Sequence, residues 1–172
     1  MNGGPQPVPF CLFTQIADKS VSDTDVETTL FGAGVGNLNL PAGFLTPGRT
    51  LHVRLHGKHS ADASPPTLTI AVRLGSILIG TTAAITDRSS SNEAIWIDVL
   101  ITCRSSGVSG SVQVIGEVEH HETAVGDHFS IPATLTTINT NSDLALSVTA
   151  KWSFAEAAAN VTITNAIVDV LN

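Results

Sequence analysis

Histidine is the residue of this chain most able to carry chemistry, and it falls in two groups: His52, His56 and His59, then His120, His121 and His128. Imidazole nitrogens ligate transition metals at about 2 Å. On a strand, residues four apart share a face but stand ~13 Å apart at ~3.3 Å per residue. His52 and His56 therefore cannot hold one ion together, and a shared site would need a cross-strand partner such as Glu119 or His121. His59, His120, His121, Glu122 and Asp127 flank loops, and the simpler expectation for all of them is outer-face and loop residues. Neither Ser89-Ser90-Ser91 nor Ser105-Ser106-Gly107 has the strand-to-helix setting of an activated nucleophile. Asp87, Glu93, Asp98 and Asp127 offer carboxylates, but no spacing pairs them as acid and base. The glycine run 32–36 lacks the Lys-Ser/Thr ending of a phosphate loop. A non-catalytic protein without cofactor or metal is expected.

Two cysteines, Cys11 and Cys103, match no metal or redox spacing. Cys103 continues the register of Ile95, Ile97, Val99 and Ile101, so it reads as a small buried hydrophobe. Net charge is -7 and the 8 basic residues are scattered, which argues against phosphate neutralisation and so against nucleic-acid binding. No apolar run reaches the ~18–20 residues needed to span a bilayer. The N-terminus lacks the basic start and apolar core of a signal peptide, so a soluble product made in a cytoplasm is expected.

The elements that must position these residues are strands. Charged residues make up 13% of the chain, below the usual ~25%, and Ser, Thr, Asn and Gly replace them. β-Branched residues suit a pleated surface, whereas Gly and Asn serve turns. Period-2 alternation is strong over 51–58, 67–74, 95–103, 112–119 and 144–152, and Gly75-Ser76 reads as a two-residue hairpin turn. Residues 161–171 close the chain, and the longer connections 83–93 and 119–128 are expected at the ends of the fold. Helical composition is confined to 154–159, too short to stand alone. The fold expected is all-β: an eight-stranded antiparallel jelly-roll-like β-sandwich over 27–172, preceded by an extended N-terminal arm over 1–26. Pro5, Pro7 and Pro9 give the arm its extended character, and Phe10 opens an apolar stretch to Ala17 suited to a first strand.

Strand 51–58 carries His52, Arg54, His56 and Lys58 on its polar face, and strand 111–121 carries Glu117, Glu119 and His121. As neighbours, or across subunits, these sets would pair at ~0.2–1 kcal/mol each. Trp96 falls on the face opposite Ile95 and Ile97, beside Leu100. An aromatic there calls for cover by a second sheet, a loop or another subunit, with ligand stacking the alternative. Absence of Tyr and 5% aromatics weigh against a sugar-binding groove.

The segment 40–51 (LPAGFLTPGRTL), followed by 67–75 (TLTIAVRLG), 101–107 (ITCRSSG), 143–152 (DLALSVTAKW) and 160–165 (NVTITN), resembles small jelly-roll virion structural proteins of tailed bacteriophages. The resemblance spans roughly residues 28 to 168. It implies a homotrimeric virion protein that decorates the capsid as cement, with the major capsid protein or other virion proteins as partners. A receptor-binding, fibre or tail domain is the alternative it allows. The family offers no catalytic residues. Interface candidates are then Pro5, Pro7, Pro9 and Phe10 of the arm, with His52, Arg54, His56, Trp96, Ile115, Glu117 and Glu119 of the outer sheet. An exposed groove holding Trp96 would favour host recognition over cement.

Overall fold

The computed structural model describes residues 8–62, 66–86, 89–121 and 126–172. Thirteen strands occur among them: β1 Phe10–Gln15, β2 Lys19–Ser22, β3 Thr28–Thr29, β4 Gly34–Gly36, β5 Asn39–Leu40, β6 Thr50–Ala61, β7 Leu68–Leu74, β8 Ile77–Thr81, β9 Ser90–Ser105, β10 Gly110–His121, β11 Gly126–Ile138, β12 Leu144–Trp152 and β13 Asn160–Val170. The described residues contain no helix, and so none long and apolar enough to cross a membrane.

Alternating apolar residues give each long strand one buried face, and two such faces packed together make a sandwich. The eight-stranded sheet runs β11-β10-β9-β6-β13-β1-β4, with β2 also paired to β13. The five-stranded sheet runs β3-β12-β7-β8, with β5 also paired to β12. Every strand pair among the described residues is antiparallel, as expected. The outer winding nests as in a jelly roll: β6 pairs β13 in one sheet and β7 pairs β12 in the other. Inside it, β9, β10 and β11 form a meander in the large sheet. The strand total exceeds eight because short pieces (β2 to β5) edge both sheets.

Leu51, Val53 and Leu55 of β6, with Ile95, Ile97, Val99 and Ile101 of β9, face Ile70, Val72 and Leu74 of β7 and Val148 and Trp152 of β12, all fully buried. Along β13 the apolar phase slips, from Val161 and Ile163 to Ala166, Val168 and Val170. A register shift between Ile163 and Asn165 absorbs the slip opposite Gly57. A Cβ on Gly57 would lie 2.1 Å from the Thr162 carbonyl oxygen, so the close approach requires glycine. The Gly75-Ser76 turn forms as expected, with Gly75 at φ +60.

Three expectations are corrected. Residues 10–22 do not belong to a free arm: β1 pairs β13 and β4, and β2 pairs β13. Buried Gln15 fixes this segment, donating from Nε2 to the Ile163 carbonyl (2.9 Å) and accepting from the Gly32 amide (2.8 Å). The connections assigned to 83–93 and 119–128 are partly strand, because β9 begins at Ser90, β10 runs to His121 and β11 starts at Gly126. His59 and His120 are not surface or loop residues. Both are fully buried between the sheets with rings stacked at 3.7 Å, His120 Nε2 lying 3.1 Å from His59 Nδ1. His59 Nε2 meets the His121 carbonyl at 3.2 Å, which places its proton on Nε2 and leaves Nδ1 to accept.

Candidate binding face of the large sheet

The outer face of β6, β9 and β10 gathers most of the polar residues singled out by sequence. Alternation turns His52, Arg54 and His56 outward from β6, Trp96, Asp98 and Leu100 from β9, and Ile115, Glu117 and Glu119 from β10. The register sorts them into rows. His56, Trp96 and Glu119 stand abreast, then Arg54, Asp98 and Glu117, then His52, Leu100 and Ile115. β6 and β10 are not neighbours, because β9 lies between them. The direct pairing considered for their charges is therefore replaced by other partners.

His52 Nε2 bonds Asp98 Oδ2 of β9 at 2.8 Å. Arg54 turns the other way and donates from Nη2 to Asp169 Oδ2 of β13 at 2.7 Å. Glu119 Oε1 lies 2.9 Å from His121 Nε2 on its own strand. Glu117 Oε2 lies 3.7 Å from His128 Nδ1 of β11. Asp98 and Asp169 are held by hydrogen bonds, whereas Glu117 and Glu119 only stand near their imidazoles, and all four keep lone pairs to offer.

Among the described residues neither sheet nor loop covers Trp96, which stays 47% exposed. Its indole is flanked by the tilted rings of His56 at 5.8 Å and His121 at 5.6 Å. A shallow hollow of about 170 Å³ opens beside it, lined by His56, Trp96, Asp98, Glu117 and Glu119. A second hollow of about 260 Å³ shares Asp98 and Glu117 and continues to Leu100 and Ile115. Together they form one groove, aromatic at one end, aliphatic at the other and carboxylate-lined between. An absence of tyrosine weighed against such a platform, but two imidazoles stand where further aromatics would be counted.

Glu117 is the cross-strand partner of Asp98. Both side chains are open, 50% and 60% exposed. Among the described residues no three His, Cys, Asp or Glu side chains are grouped to hold a metal ion.

Pro9 and Phe10 are exposed at the start of β1, separated from this face by β13. Pro5 and Pro7 lie outside the described residues. Asp98, Leu100 and His121 are the residues of this face that the interface reading passed over. The alternation that placed Trp96 outward also places Asp98 there, so that signal was present. Both cysteines are free thiols, Cys11 exposed and Cys103 buried as its register required.

No protein-family model and no curated protein matches the chain. Among solved structures it is similar to the CBM2 module of Lactobacillus casei BL23 phage J-1 evolved Dit. That match has 10% identity and a TM-score of 0.33, and covers 78% of this chain and 68% of that one.

Proposed function

We propose that this chain is a non-catalytic structural protein of a bacteriophage virion, made in the host cytoplasm and assembled as a capsid decoration (cement) protein. In this reading it acts as a homotrimer on the major capsid protein. The sequence resemblance supports the class, and one structural observation carries the contact role. Among the described strand residues, the exposed large apolar side chains of the large sheet are Phe10, Val35, Trp96, Leu100, Ile115 and Leu135, whereas the small sheet exposes only Leu78. Apolar side chains left outside a finished core, concentrated on one sheet, mark a contact surface. Phe10 and Val35 lie at the β1/β4 edge, where the proline-rich arm joins.

Light scattering on the full chain tests the reading. A stable mass three times that of the chain is expected, and deletion of residues 1–9 should leave the melting temperature unchanged while weakening attachment to undecorated capsids. A monomer at tens of micromolar that also fails to bind capsids would refute it.

The groove at Trp96 favours a second reading, recognition of the host surface by a receptor-binding or tail-type domain. In that case capsid binding fails while binding to host envelopes is retained.

A further inference from the structure

We propose that the groove across β6, β9 and β10 is a binding site for a short, uncharged saccharide. This deepens the host-recognition reading of that face and rests on it.

The groove's floor and walls select the ligand class. At one end Trp96 offers a half-exposed indole, propped by the His56 and His121 rings at 5.8 and 5.6 Å. A sugar ring has an apolar C–H face that stacks on an indole, while its rim is a ring of hydroxyl donors. The next row supplies the matching acceptors, Asp98 and Glu117, directly opposite one another on β9 and β10. Ionised carboxylates only accept, and each has room for several donors. The far end returns to apolar surface at Leu100 and Ile115, four residues along β9 from Trp96 and so ~13 Å away. An apolar plate, a band of acceptors and a second apolar plate match consecutive sugar units.

Charge narrows the choice. Asp98, Glu119 and Glu117 each already stand against an imidazole, at 2.8, 2.9 and 3.7 Å, and Arg54 is taken by Asp169. An anionic polymer would meet three carboxylates on a chain of net charge -7. A hydroxyl-rich neutral ligand does not meet that repulsion, and its hydroxyl donors can be accepted beside the imidazoles. It also uses a partly pre-formed site: Asp98 is oriented by His52 and the indole by its flanking rings, which lowers the ordering cost of binding.

The full chain would be applied to a printed array of neutral and acidic glycans, and the strongest neutral hit titrated in solution by tryptophan emission. Trp96 is exposed and Trp152 buried, so a saturable blue shift reports on the groove. Trp96→Ala should abolish binding. Asp98→Asn and Glu117→Gln should each weaken it at least tenfold without moving the melting temperature. Absence of any neutral hit, preference for acidic glycans, or full binding by Trp96→Ala would overturn the proposal. So would an emission that shifts with protein concentration alone as mass increases, because a second copy would then fill the groove. A trimer whose Trp96 stays open and silent toward neutral glycans leaves the decoration reading intact and refutes only the saccharide site.

Discussion

Replacing Glu27 by glutamine should loosen the segment that leads into β3 at the edge of the small sheet. Glu27 precedes β3 and reaches across β7 and β12. Its carboxylate accepts from Arg73 Nε at 2.6 Å, Arg73 Nη2 at 2.8 Å and Thr149 Oγ1 at 2.6 Å. Hydrogen bonds with a charged partner contribute ~1.5–3 kcal/mol when sheltered. The two ionic side chains are 28% and 30% exposed, so water screens part of that, and ~1–2 kcal/mol is the expected loss for Glu27→Gln. For a chain of this length ~2–4 °C accompanies each kcal/mol, giving a fall in melting temperature of roughly 2–8 °C at pH 7. The hydrogen bonds from Arg73 hold the Glu27 carboxyl below the usual glutamate range against the opposing effect of burial, and Thr149 assists. A depressed folded value means that the stabilisation is fully present above the ordinary range near ~4.3 and is lost as pH falls through the folded value. Circular-dichroism melts of both proteins at pH 7 and pH 3 test this. The gap between them should narrow in acid. An undiminished gap at pH 3 would refute an origin in charge, and no gap at pH 7 would show that the clip contributes nothing.

Gly57→Ala should cost ~1–3 kcal/mol or more, because its Cβ meets backbone at 2.1 Å and no rotamer change relieves it; urea unfolding would show a lower midpoint at unchanged slope. His120→Ala removes the stacked partner of His59 and leaves a cavity, so a loss of ~2–4 kcal/mol is expected by the same measurement, and a neutral result would refute the buried pairing. Burial pushes the Cys103 thiol up, so a thiol reagent at pH 8 should titrate Cys11 alone in folded protein and both cysteines in denaturant. Rapid modification of both in the folded state would contradict the packing.

The all-β class was legible because β6, β7, β9, β10 and β12 each present one apolar face, which writes period 2 into the sequence. β11 was missed for the converse reason. It is an edge strand, Pro132 interrupts it, and residues 132–135 are exposed in succession, so no alternation marks it. Pairing partners were also hidden. The polar sets of β6 and β10 can be read residue by residue, but nothing local says that β9 lies between them, because strand order is fixed by long connections. His59 and His120 were misjudged by residue type, although their register with Leu55 and Val118 placed them inward. Groove formation depends on both facts: outward residues from alternation, and the β6-β9-β10 order that only tertiary packing decides.

The place of β13 has a consequence for how the molecule comes into being. This strand, the last of the thirteen, lies inside the large sheet, hydrogen-bonded to β6 on one side and to β1 and β2 on the other. While residues 160–170 are still within the ribosome, the first strands have no partner in that sheet except β4, and β6 has only β9. β1 and β2 must therefore wait, exposed, until β13 is made. Folding is set by closures across nearly the whole sequence, the regime of slow, non-local β topologies. A stalled or truncated product would present open sheet edges on both sides of the missing strand, the surface from which β-rich chains aggregate.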